Sequence, residues 1–335
     1  MIPSLCAAAA AFLLAMAAMP FAGKLAARWG MLDHPDQRLK RHERPVPYLG
    51  GLAVAVAFGA ALAGVKFWMN GTIVGVVGVL AGSGLITLLG LVDDKHALKP
   101  ETKFLGQVVA ALILIACNMR LQFIHPPVLS ALLTVIWVVG VTNAMNLIDI
   151  MDGLSAGVSA IAAAVFFLIA AHNGRTNDMF IVAALGGAVL GFLPFNFPGA
   201  RIYLGDTGAL LLGFVLSSVA VGESYSQVNS LAVLAPVLIL GVPIFDTLFI
   251  MFIRHRRGVS MFRGSPDHVA LRLVRAGLSR RQTVLVLWGG SAALGAAAYA
   301  SIFLPQNWSL LLYLGAGLLA LFAAERLSGI VMDRT

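Results

Sequence analysis

Apolar runs of about 20 residues, the length a helix needs to cross a bilayer, recur along nearly the whole of this 335-residue chain. The runs are continuous. A membrane strand would alternate apolar and polar positions, so a barrel is excluded and an all-α polytopic membrane protein is expected. Only 11% of the residues are charged, against about 25% in a soluble domain. Eleven runs read as spans: 3–23, 49–68, 73–92, 104–118, 128–148, 154–171, 179–197, 207–222, 231–253, 282–304 and 309–327. The polar stretches between them are short, so residues 1–335 are expected to form a single integral-membrane domain.

The basic residues orient the bundle. With the N-terminus outside, the inner segments hold every Lys and Arg except Lys66, Arg120 and Arg175, which is 20 of 23. The positive-inside rule then gives an N-out, C-in chain. No Lys or Arg precedes Lys24, so the first run lacks the charged start of a signal peptide and reads as a retained span. The net charge of +8 is mostly this bias, and it suits anionic headgroups and substrates. The basic residues are divided among separate short loops, so nucleic acid is not expected as a partner. Asp93, Asp94, Asn143, Asn146, Asp149, Asp152, Asp206 and His268 all fall on the cytoplasmic side, although none of them set the orientation. An active site is therefore expected at that face.

Five segments carry candidate chemistry. The Asp93-Asp94 pair ends the run from Ile73 to Val92. A carboxylate near the bilayer core costs about 2.5–3.5 kcal/mol, and two adjacent ones repel. A bound Mg²⁺, or the Lys95, Lys99 and Lys103 that follow, would relieve both; a solvated helix end is the plainer alternative. Asn143, Asn146, Asp149 and Asp152 recur every third residue, which traces a polar stripe on a helix. They are hard oxygen ligands and good acceptors for a base or ribose, and Gly153 and Gly157 allow close backbone approach. A polar cap entering a turn would look the same. Tyr203-Leu204-Gly205-Asp206 opens a span after a turn-rich stretch, where free N–H groups favour anions; capping by Asp206 or Thr207 is the alternative. Ser265-Pro266-Asp267 signals a helix start. His268 is thus expected in the first turn of a short basic amphipathic helix on the inner leaflet, beside Arg272 and Arg275. Lys40, Arg41 and His42 form a dense cationic group before the second span, suited to phosphate or to topology signalling.

Taken in order, LVDD (91–94), NAMNLIDIMDGLSAG (143–157), YLGDTGALLLG (203–213), VPIFD (242–246) and SPDHVALRLVRAGLS (265–279) resemble the MraY/WecA family of polyprenyl-phosphate N-acetylhexosamine-1-phosphate transferases. The resemblance is strongest over 30–290, and the span count is more similar to the WecA/TagO branch. It implies transfer of a sugar-1-phosphate, GlcNAc-1-phosphate above others, from a UDP-N-acetylhexosamine to undecaprenyl or another polyprenyl phosphate, with UMP released. It further implies Mg²⁺, with Mn²⁺ as the substitute, a multi-pass place in the bacterial inner membrane, and a homodimer. By the same resemblance Asp206 is the metal ligand, with Asp94 beside it. Asp93 and Asp94 are the catalytic pair. Asn146, Asp149 and Asp152 form the nucleotide and metal stripe, with Asp149 among the catalytic residues, and Tyr203 stacks on uracil. Asn143, Lys40, Arg41, His42 and Lys103 fall among the substrate contacts, and His268 among the catalytic residues.

One departure stands out. Relatives carry at least two histidines in the last loop helix, whereas here His268 is followed by Ala270 and Leu271. Arg272, four residues on and on the same helical face, is expected to supply the lost contact to the diphosphate. A cation-coupled transporter is the rival from another class, since intramembrane acids mark ion paths, but its sites lie near the midplane. A non-catalytic homologue is the third reading.

Overall fold

A computed structural model describes residues 1–33, 45–66, 74–222, 225, 229–258 and 267–332. Lys40, Arg41 and His42 lie outside the described residues, as do Ser265 and Pro266. The chain divides into two compact units, Met1–Glu223 and Ser224–Thr335.

The first unit opens with α1 (Ile2–Trp29) and a small antiparallel ribbon of β1 (Leu32–Asp33) and β2 (Val46–Pro47). Then follow α2 (Gly50–Lys66), α3 (Val74–His96), α4 (Pro100–Ala116), α5 (Pro127–Ile148), α6 (Leu154–His172), α7 (Thr176–Asn196) and α8 (Gly205–Gly222). Helix α8 is the axis, buried along nearly its whole length and packed against α2, α3 and α5. Its sequence allows this because it is apolar all round and small where helices cross. A Cβ at Gly213 would lie 2.6 Å from Cα of Thr142 on α5, so only glycine permits that approach.

The second unit has a short 3-10 turn (Ser230–Leu234), α9 (Ala235–Ile239), α10 (Gly241–Arg257), α11 (Val269–Arg275), α12 (Arg280–Ser301) and α13 (Gln306–Ser328). The straight span expected over 231–253 is instead two arms, bent by 74°. The apolar run hides the cause. Pro243 has no N–H to bond the carbonyl of Ile239, so the helix breaks there. The core of this unit gathers Phe249, Ile253 and Val269, with Leu273, Leu287 and Leu327 packed against them. Helix α11 is therefore seated in a core. The expected surface helix is corrected: Val269, Ala270 and Arg272 are all buried.

Among the described residues eight helices are long and apolar enough to cross a membrane: α1, α3, α5, α6, α7, α8, α12 and α13. The bent pair would add a ninth; α2 and α4, with 17 residues each, are shorter. Apart from the small ribbon, this is an all-α polytopic membrane protein.

Candidate active site

Four helix ends of the first unit build one polar cluster. Helix α3 ends by turning its last carboxylates back on the chain. The Asp93 carboxylate accepts the N–H of Leu98 at 2.7 Å, and the Asp93 carbonyl accepts that of Ala97 at 2.8 Å. Pro100 then starts α4, a position where its missing N–H costs nothing, and Lys103 falls in the first turn. The reversal brings the Lys103 ammonium against Asp93 Oδ2 at 2.5 Å and Asp206 Oδ2 at 2.8 Å. Asn146, from the last turn of α5, donates to Asp206 Oδ1 at 2.9 Å. One lysine therefore bridges two carboxylates that stand 113 residues apart in the chain, and an amide holds the second from the other side.

Asp94 faces elsewhere, because successive helix residues are rotated by about 100°. It accepts from the backbone N–H groups of Asp206 (2.7 Å) and Thr207 (3.0 Å) and from the Thr207 hydroxyl (2.6 Å). These are orphan donors at the start of α8, so Asp94 caps that helix from another one. In this arrangement both Asp94 oxygens fix the backbone that carries Asp206, beside the metal and catalytic roles expected of it. Gly205 makes the junction possible. Its φ is +68°, and a Cβ there would lie 2.7 Å from an Asp94 oxygen. Gly205→Ala is therefore expected to lower turnover at least tenfold and to reduce thermal stability, since strain at a left-handed position and displacement of the cap act together. Parallel melting and turnover curves check this.

Asp149 follows α5 directly. Among the described residues its carboxylate has no hydrogen-bond partner. Burial, and then the charges of Asp206, Asp94 and Asp152, hold it well above the usual carboxylate range. With the folded value raised above the unfolded one, ionisation costs stability as pH climbs from the ordinary range through the raised value, and costs nothing in acid. Asp149→Asn, measured in EDTA, is thus expected to raise the melting temperature near neutrality and not in acid, while turnover falls about 100-fold or more. A lower melting temperature near neutrality would contradict the charge crowding.

Two members of the expected stripe have other partners. Asn143 donates to Gln107 of α4 at 2.5 Å and to the Val139 carbonyl at 2.8 Å, and accepts from Gln107 at 3.3 Å. Both its donors are spent tying α4 to α5, which leaves its carbonyl oxygen as the group open to a further partner. Asp152 Oδ2 accepts the N–H groups of Gly199 and Ala200 at 3.2 and 3.1 Å and braces the turn before α8. Buried Asn196, which sequence reading passed over, accepts from Gly153 at 2.9 Å and donates to the Ile202 carbonyl at 3.0 Å. Its signal was an amide within an apolar run, a costly placement unless bonded. The same turn carries Tyr203, whose ring lies 5.5 Å from that of Tyr48, and whose backbone bonds Pro47 and Gly50.

The second unit carries the last-loop residues. His268 is the N-cap of α11, not a first-turn residue, since its ψ of 144° is extended. Its Nδ1 lies 2.8 Å from Asp246 Oδ2. Arg272 is fully buried. It donates to the Asp267 carboxylate (2.7 Å) and carbonyl (3.2 Å) and to the carbonyls of Leu327 (2.9 Å) and Ile330 (2.6 Å). The expected diphosphate contact is corrected: the guanidinium clamps α11 to the end of α13, and the helical count from His268 does not apply because α11 begins after it.

Among the described residues no three His, Cys, Asp or Glu side chains form a ready metal cage. Mg²⁺ does not require one, because it takes one or two carboxylates and completes its shell with phosphates and water. The unpartnered Asp149, Asp206 and the Asn146 carbonyl oxygen fit that pattern.

Comparison with known proteins places the chain among transferases. Glycosyl transferase family 4 matches residues 76–223, which hold the whole cluster. A Bacillus subtilis protein named a probable undecaprenyl-phosphate N-acetylglucosaminyl 1-phosphate transferase is 34% identical over 278 residues, covering 80% of this chain and 76% of the relative. A Mycolicibacterium smegmatis decaprenyl-phosphate N-acetylglucosaminephosphotransferase is 35% identical, over 82% and 76% of the two chains. The Escherichia coli K12 undecaprenyl-phosphate alpha-N-acetylglucosaminyl 1-phosphate transferase is 26% identical, over 91% and 87%. With its acids bridged by one lysine at four helix ends, and this similar to those proteins over most of its length, the chain belongs to the MraY/WecA family of polyprenyl-phosphate N-acetylhexosamine-1-phosphate transferases.

Proposed function

We propose that the protein transfers GlcNAc-1-phosphate from UDP-GlcNAc to a polyprenyl phosphate, undecaprenyl phosphate in the first instance, releasing UMP. The observation that carries this reading is the Lys103 bridge between Asp93 and Asp206, with Asn146 and Asp149 beside it. A phosphate oxygen of the lipid attacks the β-phosphorus of the nucleotide sugar. A phosphorus–oxygen bond forms there, and the bond to the oxygen shared with the α-phosphate breaks, so that UMP carries this oxygen away. Such a transfer needs position and charge neutralisation more than covalent help.

The residues divide that work. Lys103 can exchange one of its carboxylate partners for a phosphate oxygen and hold it. Asp93 would take a proton from the lipid phosphate or orient it. Tyr203 offers a ring to uracil, and His268, in the second unit, keeps the catalytic role that the family resemblance implies. Asp206, Asp149 and Asn146 would hold Mg²⁺, or Mn²⁺ in its place. When bound, the cation neutralises the diphosphate and stabilises the departing UMP. A transporter is not favoured, since relatives over most of the chain carry transferase names.

The reading extends to topology. With α2, α4 and the bent pair as further crossings, the chain spans the bacterial inner membrane eleven times, N-out and C-in, with this cluster on the cytoplasmic face and a homodimer as the assembly. With Cys6 and Cys117 replaced by Ser, Arg201→Cys is then expected to react with an impermeant thiol reagent only from the cytoplasmic side; labelling of that variant in intact cells would reverse the orientation. The transfer itself is tested by UMP release from purified protein, undecaprenyl phosphate and a panel of UDP-N-acetylhexosamines. Release with UDP-GlcNAc that stops in EDTA is the expected result. Release only with another sugar would replace the donor, and no release with any would refute the proposal.

A further inference from the structure

The buried carboxylate of Asp246 on α10 divides its two oxygens between neighbours on one short segment. Oδ1 accepts the backbone N–H of Val269 at 2.7 Å, and Oδ2 lies 2.8 Å from Nδ1 of His268. Both residues are shielded, Asp246 at 3% and His268 at 6% exposure. An ionised carboxylate only accepts, so this partner calls for the imidazole proton on Nδ1 and leaves Nε2 as the basic nitrogen. We propose that Asp246 is the positioning residue for His268, fixing both its tautomer and its orientation; this rests on the reading of His268 as a catalytic residue.

Two features argue for orientation beyond packing. First, the Val269 bond ties the carboxylate to the peptide unit that follows the imidazole residue, so ring and acceptor move as one body. Second, the residue before His268 is held just as firmly. The Asp267 carboxylate accepts from Arg257 at 2.9 and 3.1 Å and from Arg272 at 2.7 Å. Consecutive residues are thus pinned by charged partners from α10 and α11, at the point where α11 begins. The buried ion pair of Asp267 with Arg272 is a poor source of net stability, because an apolar replacement of similar volume often does as well. What this arrangement supplies is a single ring orientation and a single tautomer, which is how a second partner commonly tunes a working histidine.

Asp246→Asn tests this with little change of shape. Only the amide oxygen can accept the Val269 N–H, so the amide nitrogen turns to the ring and donates to Nδ1. The imidazole proton then moves to Nε2. Nitrogen NMR of the full-length protein with labelled histidine, with the His268 signal identified by its loss in His268→Asn, is expected to show protonated Nδ1 in the wild type and the inverted tautomer in Asp246→Asn. Turnover of Asp246→Asn is expected to fall about 10–100-fold, and the double variant to be no slower than His268→Asn alone. An unchanged tautomer in Asp246→Asn, or losses that multiply in the double variant, would overturn the role of Asp246. Wild-type turnover in His268→Asn would instead overturn the catalytic reading of His268, and an inverted tautomer would then uphold the contact alone.

Discussion

Asp206→Asn is expected to lower turnover by about 1000-fold, equivalent to about 4 kcal/mol of transition-state stabilisation, while the protein remains folded. The two halves of this expectation have separate causes. The fold at this point depends on the backbone of Asp206, whose N–H is held by Asp94, and the substitution leaves that bond in place. The chemistry depends on the side chain, which Lys103 and Asn146 hold from two sides. An amide of the same shape keeps the volume but removes the charge that a cation would need. Single-turnover rates with UDP-GlcNAc and undecaprenyl phosphate, read beside a melting curve, separate the two. Turnover within tenfold of wild type would remove Asp206 from the centre of the site.

Arg272→Ala is expected to act in the opposite way, costing about 3–5 kcal/mol of stability because it strips a buried ion pair of one partner. The guanidinium is fully buried, and it serves four acceptors: the Asp267 carboxylate and carbonyl and the last carbonyls around α13. It also lies over the Phe249 ring, 5.2 Å from its centroid. Arg272→Lys is not expected to rescue, because one ammonium cannot span that fork of acceptors. The measurement is thermal melting in detergent, with turnover followed in the fraction that stays folded. A variant that melts like wild type but fails to turn over would restore the substrate-contact reading of Arg272.

The apolar frame was legible because continuous runs need no knowledge of neighbours: every run expected to be a span contains helix. The break at Leu240 was not, since hydropathy passes through Pro243 without a dip, and only its missing N–H reveals the bend. Among the acids, Asp93, Asp149 and Asp206 stood out because a carboxylate beside hydrocarbon demands a partner, and the structure gathers them in one polar cluster. What separates Asp93 from Asp94 could not be read from the chain. They are adjacent residues whose faces differ by one helical step, and only packing decides that one meets Lys103 and the other the start of α8. Asn143 and Asp152 were assigned by their spacing, yet their partners, Gln107 and the turn at Gly199, come from distant segments. Arg272 failed as a substrate contact for a related reason: helical arithmetic needs a helix under both residues, and α11 starts at Val269.

The measurement closest to the central claim follows the β-phosphorus. UDP-GlcNAc radiolabelled at that atom is incubated with purified protein and undecaprenyl phosphate, and the lipid and aqueous phases are separated. Transfer of a sugar-1-phosphate predicts label in the lipid phase, in step with UMP release, and loss of both in Asp206→Asn. Label that remains in the aqueous phase as UDP, with only the sugar carried into lipid, would mean that the glycosidic bond is broken instead, and would contradict the account.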